Sequence, residues 1–298
     1  MIYYIIIVLA VVCFTAQFCF TKSYEKAVKP TLQTTLVMVA VTNLVGVLLF
    51  LIVGSFRLEI SFVSLLCAIA FSAVMIPYFI IGVKVLSLGN LAIYSMFMML
   101  GGMLVPFFYG VFFLKEQLTA GRISGTILLS FFIVLQALWQ KNDGSQAEGK
   151  AKKYTFFVLC LLIFVLNGMT GVIAKAHEID PRAISEISFT VLSCAITAAV
   201  SLVLLLLDRK KTAIVLKSAL QAQPLLVMAL LGAAAYTGNF LHLKAAAFVP
   251  ASVQFPLVSG GVIVLSALAS KLFFKEKVSV KEWISVVGAF ASTVLFAF

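Results

Sequence analysis

Charge is what this 298-residue chain has least of. Only 11% of its residues are Asp, Glu, Lys or Arg, whereas 63% are hydrophobic, and the mean hydropathy is +1.15. A water-soluble domain of this length needs far more polar surface, and a disordered chain needs far fewer apolar residues. Cysteine is sparse as well. Cys13, Cys19, Cys67, Cys160 and Cys194 all fall inside apolar runs, with no C-x-x-C and no Cys/His spacing suited to a metal. A disulfide scaffold and a Cys/His metal centre are thereby excluded, and the thiols read as small buried hydrophobes. Histidine occurs twice, and there is no Walker motif and no G-x-S-x-G. An enzyme would have no catalytic constellation to use, and no cofactor is expected.

Long apolar runs are what is present. A membrane-crossing helix needs roughly 20 mostly apolar residues, and ten stretches qualify: 2–21, 32–54, 62–83, 91–114, 123–140, 154–174, 183–207, 225–242, 253–274 and 283–298. The runs are continuous rather than alternating with period two, which predicts helices and not a membrane β-barrel. The first run, Ile2–Phe20, has no basic residues before it and no small-x-small site after it, so a true span is expected rather than a leader. Two polar connections stand out. Lys141–Lys153 is rich in Lys, Gly and Gln, and Asp208–Pro224 carries Arg209-Lys210-Lys211.

The chain also repeats itself. Lys84 and Lys244, Gly101 and Gly261, and the dipeptides Lys115-Glu116 and Lys275-Glu276 each lie 160 positions apart, and Lys22 and Lys175 lie 153 apart. The division is therefore 1–140 and 154–298, two five-helix repeats joined by a polar linker at 141–153. An odd number of helices per repeat inserts the second half upside down. The expected fold is thus an all-α membrane protein of ten transmembrane helices in two inverted five-helix repeats, the framework on which alternating access is built.

Basic residues outnumber acidic ones by 22 to 11, with 16 of the 22 on the side of the odd-numbered loops and 6 on the other. The positive-inside rule accounts for this bias without any nucleic-acid partner and predicts that both termini are extracytoplasmic, in a plasma (inner) membrane protein.

The segment Pro250 to Phe296 reads P-x-S-x-Q-x-P-L, a Gly-rich helix, F-K-E-K, and a last helix with Gly288. With ten spans and lysines at helix ends, the chain resembles the EamA-type branch of the drug/metabolite transporter superfamily over nearly its whole length. The resemblance implies two inverted five-helix bundles around a central cavity, lined by the first, third, fourth, sixth, eighth and ninth helices. It also implies transport of amino acids, nucleobases, sugar derivatives, cofactors or drugs, often outward. Many members of that family are thought to keep their termini in the cytoplasm, opposite to the charge bias here. The first span also lacks the acid that the small four-helix multidrug relatives carry, so their cation exchange does not transfer.

Polar residues inside the spans are the binding candidates. Gln17 and Asn167 lie mid-to-late in the first and sixth spans, with amides that both donate and accept. Tyr236, Asn239 and His242 recur every third residue in the eighth span. Tyr78 follows Pro77, and Tyr94 and Gln254 occupy the fourth and ninth. For all of these the alternative is hydrogen bonding between helices. Glu186 and His242 are candidates for ion coupling, Glu186 alternatively being an interfacial acid paired with Arg182 or Lys175. Lys84 and Lys244 are either snorkelling anchors or contacts for anionic groups. These features favour a secondary transporter of small polar or amphipathic metabolites, working as a monomer in the lipid bilayer. Export of lipophilic cations and a non-transporting membrane scaffold are the alternatives.

Overall fold

Inside lipid no backbone group can be left without a partner, so runs of this length close their hydrogen bonds as helices. The computed structural model describes residues 2–115, 119–142, 147–246, 248–249 and 251–295. These residues form α1 (Ile2–Ala27), α2 (Leu32–Val53), α3 (Phe62–Leu88), α4 (Leu91–Phe113), α5 (Ala120–Asn142), α6 (Ala147–Glu178), α7 (Glu186–Leu207), α8 (Arg209–Ala219), α9 (Ala222–Ala246), α10 (Ala251–Phe273) and α11 (Val280–Leu295). No strand occurs among the described residues. Among the described residues, seven helices are long and apolar enough to cross a membrane: α1 to α4, the Tyr154–Glu178 part of α6, α7 and α9. Two shorter apolar stretches, Ala120–Phe132 and Leu257–Phe273, lie in α5 and α10. The chain is an all-helical integral membrane protein by the length and apolarity of these segments.

Starts and stops follow local chemistry. Thr31 and Thr34 form a reciprocal capping box at the start of α2. Ser61, Asn90 and Ser185 cap α3, α4 and α7 with side-chain oxygens that accept from the third following N–H. The ends of α4 and α10 are followed by Lys115 and Lys275 in the left-handed region, at φ 55° and 52°, a conformation that side chains other than glycine's resist.

One expectation needs correction. The stretch Asp208–Pro224 is not a loop. Asp208 accepts from the Lys211 N–H, Thr212 Oγ1 donates to Leu205 O at 2.8 Å, and Ala219 is buried while Val215 and Leu216 pack inward, so a short eleventh helix, α8, forms there. Within the expected polar linker, α6 begins at Ala147. Residues 143–146 of that linker, with Glu116 and Pro250, lie outside the described residues.

The helices pair in a fixed pattern. α1 packs on α9 and α10, α6 packs on α3 and α4, α2 packs on α7, and α5 packs on α11, while α2 also meets α9, α3 meets α7, and α4 meets α10. Glycine permits the tightest of these crossings. A Cβ on Gly101 would lie 2.1 Å from the carbonyl oxygen of Phe164, so α4 and α6 touch backbone to backbone. A Cβ on Gly46 would lie 2.5 Å from the Tyr236 ring, which brings α2 against α9.

Candidate functional site

Polar groups gather at three levels along the bundle. At one end, Lys22 is only 5% exposed although it is a lysine. Its ammonium pairs with Glu276 Oε1 at 3.1 Å and donates to Leu86 O at 2.5 Å and Gly89 O at 2.9 Å, so all three of its N–H donors are used. The other oxygen of Glu276 accepts from the Leu91 N–H at 3.0 Å and from Ser270 Oγ at 2.5 Å. Next to this pair, Asn90 Nδ2 donates to Glu282 Oε1 at 2.7 Å while Asn90 Oδ1 caps α4. One network thus ties α1, the α3–α4 turn, the α10–α11 connection and α11. A buried ion pair holds only when its remaining hydrogen-bonding capacity is filled, and here the backbone fills it.

The other end of α3 carries a different arrangement. Ser64 and Leu86 are 22 residues apart on that helix, about 33 Å at its ordinary rise, comparable with the thickness of a bilayer core. His177, 2% exposed, places Nε2 2.9 Å from Ser64 Oγ and stacks on Phe189 at 4.0 Å. Ser64 Oγ also accepts from Ser61 Oγ and from the Ile184 N–H. Glu59 Oε2 accepts from the Ser185 N–H, and the Glu59 N–H donates to Ser188 Oγ. These bonds join the α2–α3 and α6–α7 connections. Just outside, Arg182 hydrogen-bonds to Asp180 and pulls its carboxyl down to about 2.

Between the two ends lie the residues expected to bind substrate, and they separate into two groups. In the first group the side chain serves a neighbouring helix. Asn167 Nδ2 donates to Met98 O at 2.7 Å, tying α6 to α4. Tyr236 donates to Asn43 Oδ1 at 2.8 Å and meets Phe50 edge-on, tying α9 to α2. Tyr78 is buried with its hydroxyl on Met98 Sδ, and Tyr94 is buried edge-on to Phe18 with its hydroxyl over Gly82. In the second group, part of the polar capacity is unspent. Gln17 is half-buried, and its amide has no hydrogen-bond partner among the described residues. Asn239 is exposed and bonds only to its own helix at Ala235 O. Gln254 is fully buried, with Nε2 on His242 O and Oε1 without a partner, and Thr15 Oγ1 is buried without one too.

The surroundings of α9 show where Asn239 points. Gly232 faces Thr42 and Val45 of α2 and Tyr236 faces Asn43, whereas Gly238 faces Cys13 and Phe14 of α1 and His242 meets Phe14 edge-on at 6.3 Å. At 100° per residue, Asn239 falls on the arc between these two faces. There it is exposed, covered by neither helix. The three-residue recurrence of Tyr236, Asn239 and His242 is divided: Tyr236 meets α2, His242 meets α1, and Asn239 lies exposed between them.

The coupling candidates lie at the rim. Glu186 is exposed in the first turn of α7, where the helix dipole favours an acid. The expected pairing with Arg182 is corrected, since Arg182 bonds to Asp180 at 2.9 Å instead. Lys84 and Lys244 are both exposed, and Lys244 sits 5.5 Å from the Phe240 ring. Sequence reasoning missed Asn43, His177 and Glu282 as bonding partners and treated Lys22 and Glu276 only as helix-end charges. The repeated Lys-Glu dipeptide was the available signal for Glu276.

No family model and no curated protein matches the chain. Among solved structures, a crystal structure described only as "Crystal structure of protein" superposes with a TM-score of 0.59, covering 99% of this chain and 98% of that one at 16% identity. At that identity the likeness is one of fold.

Proposed function

We propose that this protein is a secondary transporter of small organic solutes, built from ten membrane-crossing helices in two inverted repeats and resembling the EamA-type transporters. One observation carries the reading: the two halves make equivalent contacts with each other. Gly101 meets Phe164 and Gly261 meets Val11. Adding 160 to the first glycine gives the second, and subtracting 153 from Phe164 gives Val11. The Tyr94 hydroxyl lies over Gly82, and the Gln254 amide bonds to His242, again 160 apart. The left-handed Lys115 and Lys275 obey the same offset. The helix pairings exchange too, α1 on α9 and α10 corresponding to α6 on α3 and α4. Such a framework has a mirrored conformation of similar energy, which is what alternating access needs.

The interior favours a neutral or zwitterionic solute, because Gln17, Asn239, Gln254 and Thr15 offer hydrogen bonds and no charge. A solute bearing an unbalanced charge would find no counter-ion there. In this reading the Lys22–Glu276 network closes the basic end, which the charge bias makes cytoplasmic, and it must break for that end to open. A non-transporting scaffold is the competing reading, favoured by the interhelical bonds of Tyr236 and Asn167.

Counterflow in proteoliposomes separates the two. Vesicles preloaded with mixed unlabelled amino acids and nucleosides are expected to accumulate a labelled member of one class. Gln17→Ala and Asn239→Ala should reduce that uptake at least severalfold without loss of folded protein. No protein-dependent uptake of amino acids, nucleosides or organic cations by folded protein would favour the scaffold.

A further inference from the structure

We propose that α8 is an interfacial helix that binds the headgroups of anionic phospholipids. This assignment rests on the membrane location of the chain and not on transport. α8 is docked and not free: Val215 and Leu216 pack on a core cluster containing Tyr24, Leu36, Leu205 and Met228, and Ala219 is fully buried. Those contacts place it at the end of the bundle that carries Lys22, between the last turn of α7 and the first turn of α9.

Its outward side is specific. Lys210, Ile214 and Lys217 follow one another at i, i+4 and i+7, so they form a single stripe, and all three are exposed, Ile214 at 77%. Arg209 lies exposed beside the stripe. Asp208 and Lys211 neutralise each other in a 2.9 Å pair, which leaves a surplus of three positive charges on the helix. An exposed isoleucine between two lysines is a poor face to turn to water. At the edge of a bilayer it suits both phases, with the isoleucine in the acyl boundary and the ammonium groups among phosphates. Zwitterionic headgroups would satisfy the apolar side of this match but not the charge, so the complementary occupant is an anionic phospholipid.

Fluorescence quenching tests this. Ile214→Trp is introduced where Trp139 and Trp283 have been replaced by Phe, and the protein is reconstituted with brominated phosphatidylglycerol or brominated phosphatidylcholine. Quenching should favour phosphatidylglycerol by about tenfold or more in relative association, from about fivefold for each of two interfacial cations. Adding Lys210→Gln and Lys217→Gln should lower the ratio by about that factor, with Arg209 left in place. Equal quenching by both lipids, absence of quenching by either, or a preference undiminished by the double substitution would each overturn the proposal. So would loss of the preference on adding inorganic phosphate at unchanged ionic strength, which would indicate a soluble-anion site. Should the tryptophan background not fold, native mass spectrometry of the otherwise unaltered chain decides instead. The wild type is expected to retain at least one more phosphatidylglycerol than Lys210→Gln/Lys217→Gln, and equal retention would count against α8.

Discussion

The two ends of α3 are held by different chemistry. Around Leu86 and Gly89 the closure rests on one buried ion pair with every donor and acceptor filled, and it draws together α1, the α3–α4 turn and the α10–α11 connection. Around Ser64 it rests on serine hydroxyls, backbone N–H groups, the Glu59 carboxylate and the stacked rings of His177 and Phe189, joining two loops. A filled ion pair is all-or-none, because removing either partner strands a charge. Serine and histidine bonds can be lost one at a time at modest cost. The first end therefore holds or fails as a unit, whereas the second can loosen bond by bond.

The largest effect expected from this contrast is at Lys22. Lys22→Ala leaves Glu276 buried without its counter-charge and should destabilise the folded protein by about 3–5 kcal/mol. Combining Lys22→Met with Glu276→Gln should restore more than half of that loss. Equilibrium denaturation in detergent reads both, and a loss below about 1 kcal/mol for Lys22→Ala would remove the contrast between the ends. At the other end, His177→Ala forfeits one hydrogen bond and one ring stack, and about 2–3 kcal/mol should be lost in the same assay.

A smaller effect compares the halves. Gly101→Ala drives a Cβ against the Phe164 backbone and should cost about 1–3 kcal/mol. Gly261→Ala meets only the Val11 methyl groups, at 3.0 Å, so less than about 1 kcal/mol is expected. Equal costs at both positions would mean that the two crossings relax alike. The smallest effect is at Asp180, whose carboxyl is held at about 2 by Arg182. With the folded-state value depressed, its contribution is present above the usual carboxylate range and lost as pH falls through about 2. The stability difference between wild type and Asp180→Asn should therefore stay constant from neutral pH down to mildly acidic conditions and close only in strong acid. A difference that closed well above that range would show the Arg182 bonds to be absent in solution.

Much of the fold can be read from the sequence because a membrane span announces itself by length and apolarity, and each of the ten stretches lies largely within a helix. α8 escaped notice because Arg209, Lys210, Lys211 and Lys217 dominate a short segment, whose inward side is only Val215, Leu216 and Ala219. The interior was half legible. Sequence spacing put Tyr236 and Asn239 on neighbouring positions of α9, but it carries no information about which helix stands opposite. Asn43, 193 residues from Tyr236, takes the Tyr236 hydroxyl, whereas Asn239 bonds only within its own helix. Lys22 and Glu276 illustrate the same limit, since charges at helix ends are visible in a sequence but their long-range partners are not.

The crossing of α4 and α6 has a mechanical consequence. Where Gly101 rests on the Phe164 backbone there is no side chain to compress, so that point would serve as a fulcrum for any tilt of α4. Leu91, whose N–H holds Glu276, lies ten residues away along α4, a lever arm of about 15 Å. A tilt of about 15° at Gly101 would carry Leu91 through about 4 Å, further than any hydrogen bond can stretch. If the protein transports as proposed, a small hinge far from a stiff clasp would let the clasp be strong and still come undone with little rearrangement at the pivot.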